Sequence, residues 1–361
     1  MKKLLLLLFV LLVIVSCSKN SAAEKGPQVF NNSSKPADPD FAIEIIEQKV
    51  LQNDSTSMLL DMPWDATEDD EGNIYILSGI NCKIIKYDSN LDYIKDFAGM
   101  GGGPGELTNP NNIFIVNDTL FVTDSANKSL NRFTLDGEFI NSSLDPAISQ
   151  SHTFVVRDGM FVSQSIELFE TDEIMTGRSK LTLLDDKFKI KIDICDSGET
   201  EDFIFFKSRI PYAVSDSLIY VAENRTDRYR IEIYDRSGKP AGVINKNYAM
   251  IPFEYKKDVW SKFFGTKYKR SISNLYIDYE GNLWVMRAFD DAPDKENIKD
   301  HFRFDVFKDG RFVNEVTLDS LEYESFDYGT RTKVLNDRIY SFYIGEDKVV
   351  VSKYKIREKR E

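Results

Sequence analysis

Histidine is scarce: His152 and His301 are the only two in 361 residues. A three-histidine zinc site is thereby excluded, and an imidazole base would have to be one of these two. Cysteine is nearly as rare. Beyond Cys17, only Cys82 and Cys195 occur, and their wide separation gives no spacing signal for a bridge, so two free thiols are expected. Positive charge is in deficit, with a formal net charge of −13. That excludes nucleic acid as a partner, because phosphate backbones are held by clustered Lys and Arg. There is no Gly-x-Ser-x-Gly elbow for a serine hydrolase. The glycine run Gly99 to Gly105 lacks the Gly-Lys-Ser/Thr that opens the helix of a phosphate-binding loop. The one long apolar run, Leu4 to Val15, is shorter than the roughly 20 residues a membrane-spanning helix needs.

That run follows Met1-Lys2-Lys3 and reads as a secretory signal. Ile14-Val15-Ser16-Cys17 resembles a bacterial lipobox, which implies that Cys17 carries the lipid and anchors the protein to a membrane. Ser18, in place of an acidic residue, points to an outer-membrane lipoprotein of the cell envelope, facing either the periplasm or the outside. Residues 1–16 are thus expected as signal peptide. Residues 17–40, rich in Ser, Asn, Lys and Pro, are expected as a flexible tether.

What the chain does have is a repeat. An aliphatic residue followed by an aromatic recurs just after a turn, as Ile74-Tyr75, Leu120-Phe121, Met160-Phe161, Ile219-Tyr220, Leu283-Trp284 and Ile339-Tyr340. The spacing varies from 40 to 64 residues, and the excess is assigned to loops, chiefly 166–179, 248–269 and 290–300. Between Pro110 and Ile140 the unit is clearest, with apolar runs Ile113–Val116, Leu120–Thr123 and Leu130–Thr134 and an Asp136-Gly137 turn into a fourth strand. Four short strands with tight turns make a sheet that cannot bury its faces alone and needs copies of itself. Five units are complete. A sixth lacks its last strand, and the β-rich stretch Phe41–Leu51 is the spare that would supply it and close the ring.

The stretch Pro110, Ile113, Asp118, Leu120-Phe121-Val122, Asp124, Asn127, Arg132-Phe133 and Asp136-Gly137 resembles an NHL-type repeat. With the Gly99–Glu106 run and the lipobox, the chain is similar to six-bladed β-propeller lipoproteins of Bacteroidota, of the NHL-like or TolB-like kind. The resemblance implies an all-β, six-bladed propeller of four-stranded antiparallel blades over residues 41–356, a charged tail at 357–361, and a place in the cell envelope. It carries over no chemistry.

Propellers use the channel mouth formed where innermost strands begin and where second strands turn into third strands. Trp64, Asn112, His152, Arg209, Tyr212, Arg270 and Arg331 fall at those strand starts, with Asn111. Asn81, Asn127, Arg178, Arg225, Arg228 and Lys295 fall on the facing loops. Arginines with Trp, Tyr and His predict a locally basic, aromatic mouth suited to a peptide, protein or glycan, with binding lost on alanine substitution at Arg209 and Arg331. Glu68-Asp69-Asp70-Glu71 is out of EF-hand register and reads as a solvated turn. Asp124 and Asn127 read as turn-bracing residues. The expected function is a monomeric, lipid-anchored binding module with no catalytic residue, metal or cofactor assigned. The alternative is a metal-assisted hydrolase or lyase of the propeller lactonase type, with Asp65, Asn111, Asn112 and Asn274 as oxygen ligands.

Overall fold

Turns anchored by a short acidic side chain fold the chain back on itself every few residues. Asp69 accepts the Asn73 amide at 2.8 Å, and Asp278 accepts the Asn282 amide at the same distance. Asp88, Asp185 and Asp235 each accept from the residues two and four positions on. The computed structural model describes residues 26–53, 60, 62–144, 151–170, 175–197, 210–223, 225–250, 268, 271–287, 303–317, 331–335, 337–344 and 349–359.

Two strands precede the repeats, β1 (Gln28–Asn32) and β2 (Ile43–Asn53). Blade one is β3 (Pro63–Glu68), β4 (Ile74–Ser78), β5 (Lys83–Tyr87) and β6 (Tyr93–Ala98). Blade two is β7 (Pro110–Val116), β8 (Thr119–Asp124), β9 (Ser129–Thr134) and β10 (Phe139–Leu144). Blade three is β11 (Ser151–Arg157), β12 (Met160–Glu170), β13 (Met175–Leu184) and β14 (Ile190–Asp196). Blade four holds β15 (Tyr212–Val214), β16 (Leu218–Ala222), β17 (Tyr229–Asp235) and β18 (Pro240–Lys246). Blade five holds β19 (Ile272–Ile277), β20 (Leu283–Arg287), β21 (Arg303–Lys308) and β22 (Arg311–Thr317). Blade six holds β23 (Arg331–Leu335), β24 (Arg338–Ile344) and β25 (Val349–Glu358), with β2 paired outside β25. The innermost strands neighbour one another in order around the ring, and β23 returns to β3. The fold is a six-bladed β-propeller.

Closure occurs where the spare strand predicts it. β2 runs antiparallel to β25 from Ile43 opposite Glu358 to Asn53 opposite Val349. The expected charged tail is therefore shorter, because Arg357 and Glu358 belong to this ladder.

The recurring aliphatic–aromatic pairs sit on the second strand of every blade, so their two side chains point to opposite faces and pack against different neighbours. Ile74 and Tyr340 share the cluster between blades six and one. Tyr75 belongs to the cluster between one and two, and Trp284 to that between five and six. The apolar core is thus a set of inter-blade interfaces. Trp284 is fully buried against Phe304, and its truncation to Ala would cost about 3–5 kcal/mol. Buried polar tips are paired: Tyr75 donates to Asp69 at 3.0 Å, Trp284 Nε1 to Asp278 at 2.9 Å, and Tyr340 to Glu68 at 2.9 Å across the closing interface. Glu68 and Asp69 hence face inward, contrary to the solvated turn expected for this acidic run. Burial raises the Glu68 pKa against the lowering effect of Tyr340 and Arg338.

Three further expectations are corrected. Part of the 166–179 insertion is not a loop but the far end of the β12–β13 hairpin, with Ile166 opposite Ser179 and Glu170 opposite Met175. Blade four has five strands, because β1 adds in parallel outside β18, pairing Gln28 with Gly242 through Asn32 with Lys246. The segment expected as tether therefore contains ordered sheet. Its Asn32 side chain donates to Gly310 O and Asn245 O and accepts from Phe312 N. Ala37 N and Asp38 N then bond Phe312 O and Val313 O on the edge of β22. The N-terminal segment lies as a belt along blades four, five and six. Most of 248–269 and all of 290–300 lie outside the described residues.

Candidate functional site

Asp65 and Lys333 stand on neighbouring innermost strands, β3 and β23. The Asp65 carboxylate accepts from Lys333 Nζ at 2.5 Å and from Ile113 N of blade two at 3.0 Å. Both oxygens thus help to join three blades around the channel, a structural role for a residue named as an oxygen ligand in the metal-enzyme alternative. Asn112 is buried and gives its amide to Thr123 Oγ1 at 3.1 Å. Asn274 donates to the Tyr276 hydroxyl at 2.9 Å. Among the described residues no three His, Cys, Asp or Glu side chains converge as a metal-ligand set.

Of the residues assigned to the mouth, Trp64 is half-buried and packs on Gly79, where a Cβ would lie 3.2 Å from its ring. Tyr212 is buried between blades three and four and donates to Val162 O at 3.2 Å, so it braces that interface. His152 and Arg331 lie on β11 and β23 of the channel ring, their side chains outside what is described. Arg209, Arg270 and Lys295 lie outside the described residues altogether.

The glycine run closes on its own carboxylate. Glu106 Oε2 accepts Gly103 N at 2.8 Å, and a Cβ at Gly101 would strike that carboxylate. Gly105 takes a φ of +79° against Phe139. The cradle is filled from within, and nothing is left for phosphate. Asp124, fully buried, accepts from Thr108 N, Asn109 N and both Asn127 nitrogens, the bracing role expected for the pair.

At the same end of the ring as the channel mouth, the outer half of blade four carries a polar cluster on β17 and β18. The loop joining β16 to β17 is tied to the start of β19, because Ser271 N donates to Arg225 O at 3.1 Å and Ser271 Oγ donates to Arg228 O at 2.7 Å. Beside it opens a cavity of about 280 Å³ lined by Asp227, Arg228, Tyr229, Arg230, Asn245, Lys246, Asn247 and Tyr248. Each guanidinium here has a carboxylate. Arg225 meets both oxygens of Asp227 at 2.9 Å. Arg228 and Arg230 reach Glu223 at 2.6 and 2.8 Å, and Arg230 also approaches Glu232 at 3.4 Å. The hydrogen bond from Arg225 holds Asp227 down to about 2. The expected basic character is thus cancelled locally; Arg178, further round, is likewise paired with Asp196.

Behind the cavity, Lys246 meets the fully buried Asp305 at 2.7 Å and lies 3.7 Å above the Phe312 ring. Burial lowers the Lys246 pKa and raises that of Asp305, each against the pull of the other. Tyr229 floors the cavity, buried, its ring centroid 6.2 Å from that of Tyr248. Sequence reading reached Arg225 and Arg228 but not Tyr229, Lys246 or Asp305. The alternation of charges from Glu223 to Glu232 was the available signal; the approach of Asp305 from the next blade was not in it.

No family model matches the chain, and no curated protein matches it either. Solved structures do. A protein of Bacteroides fragilis whose name describes it as exported is 14% identical, with a TM-score of 0.54 over 92% of this chain and 99% of that one. A member of the DUF4221 family from Bacteroides vulgatus is 13% identical, with a TM-score of 0.51 over 88% and 99%. Virginiamycin B lyase from Staphylococcus aureus is 13% identical at a TM-score of 0.44, over 85% and 99%. At such identities the likeness to the two Bacteroides proteins is one of fold.

Proposed function

We propose that this chain is a lipid-anchored binding module of the cell envelope, exported through its N-terminal signal, lipidated at Cys17, and presenting the mouth of its propeller to a peptide, protein or glycan. The observation that carries the reading is the cavity at blade four. It is walled by side chains already held in place by ion pairs and tied by Ser271 to the neighbouring blade. Such preorganisation lowers the ordering cost of recognition. Fold by itself assigns no activity.

Two experiments test it. Cys17→Ala should move the protein from the membrane to the soluble fraction; retention in the membrane would remove the anchor. Capture from a detergent extract of the envelope with the lipidated chain should retain a component that Arg228→Ala loses. Equal retention by both proteins would remove the mouth as the binding surface.

A further inference from the structure

We infer that the blade-four cavity takes a neutral, hydroxyl-rich ligand, a glycan, rather than an acidic peptide. The inference rests on the binding-module reading and narrows it to a ligand class.

The argument starts from charge. A carboxylate entering beside Arg228 and Arg230 finds their charge already offset by Glu223, so its desolvation is repaid by little net attraction. A cationic ligand meets the converse at Asp227, whose charge Arg225 offsets. A neutral hydroxyl group carries no such desolvation cost. A guanidinium has five N–H donors and a carboxylate about four lone-pair sites, so a paired Arg and Glu keep capacity that vicinal hydroxyls can use without dissolving the pair.

The rest of the lining has the same character. Asn245 and Asn247 add amide groups that both donate and accept, and Tyr248 contributes a half-buried ring at the rim. Lys246 brings no free charge, because Asp305 neutralises it 2.7 Å away. A volume of about 280 Å³ lies just below the range of drug-sized sites and admits about one sugar residue, with the remainder of a chain lying along the mouth.

The test is titration calorimetry of the full chain in detergent against chitohexaose, cellohexaose and a soluble mannan, with a hepta-glutamate peptide as the competing class. Binding of at least one saccharide is expected, changing less than about twofold as sodium chloride rises, since no net charge is neutralised. Tyr248→Ala and Arg228→Ala should each weaken it about tenfold or more. An Asn247→Ala variant, altered at an exposed position, provides a second reading should Arg228→Ala perturb folding. Preference for the acidic peptide with strong salt dependence would overturn the inference. So would saccharide binding untouched by all three variants, or no saccharide binding at all. If capture from the envelope succeeds while every saccharide fails, the ligand class is wrong and the module stands.

Discussion

Asp227 and Asp305 show how one side chain type takes opposite roles a few residues apart in space. Asp227 is exposed, and the Arg225 fork holds its pKa near 2. The folded value lies below the unfolded one. What the pair contributes is therefore present above about pH 4 and is lost as pH falls through about 2. In a carboxyl-carbon NMR titration Asp227 should titrate near 2, and Arg225→Ala should return it toward about 4; an unmoved titration would deny the pairing. Asp305 is buried and matched by Lys246. Lys246→Met alone should destabilise the fold by about 3–5 kcal/mol by stranding the carboxylate, whereas Lys246→Met with Asp305→Leu should recover most of that loss. Urea denaturation of the two variants checks it. Neither Cys82 nor Cys195 is held in a disulfide. Cys82 is buried, and burial together with Glu232 pushes Cys195 up to about 12. Neither should react with a thiol reagent at pH 8 until the protein unfolds, because the thiolate is the reactive form.

The belt is the element that sequence reading mistook. Composition assigns 17–40 to tether, yet Phe30 packs on Gly310 so closely that a Cβ there would lie 2.5 Å from its ring. The same arrangement recurs where Phe97 meets Gly137 and Ile192 meets Gly238. In each of those cases an outermost strand covers the turn glycine of the next blade; at blade four, β1 has taken over that duty. Gly310 also holds a φ of +77°, so Gly310→Ala is doubly penalised. Phe30→Ala and Asn32→Ala should each lower stability by about 1–3 kcal/mol in chemical denaturation, the first by lost packing and the second by orphaned backbone groups. Loss-free variants would mean that the belt lies idle on the surface. The glycine run illustrates the opposite case: its turn geometry is readable in sequence, and only tertiary structure folds Glu106 into it.

For the whole molecule the decisive element is β2. It satisfies the outer edge of β25, and Phe41 just before it is buried between blades five and six. Starting the chain at residue 54 should leave an open ring with an exposed edge, seen as loss of a cooperative thermal transition and as aggregation by light scattering. A cooperative, monodisperse product would show that closure is dispensable. The count of blades and the donor of the last strand were legible because both follow from local pattern: alternating apolar residues, turn residues at set intervals, and a surplus strand at one end matching a deficit at the other. The site was legible only in part. Arg225 and Arg228 were placed on the mouth, but their neutralisation by Asp227 and Glu223 depends on side-chain direction. Tyr212 turns into inter-blade packing and Asn112 into a bond to Thr123 of its own blade for the same reason, since a strand offers two faces and register decides which is used. Periodicity along the chain determined the propeller. Only tertiary structure decided its chemistry, because Asp65 meets Lys333 and Lys246 meets Asp305 from neighbouring blades, and no local pattern records such pairings.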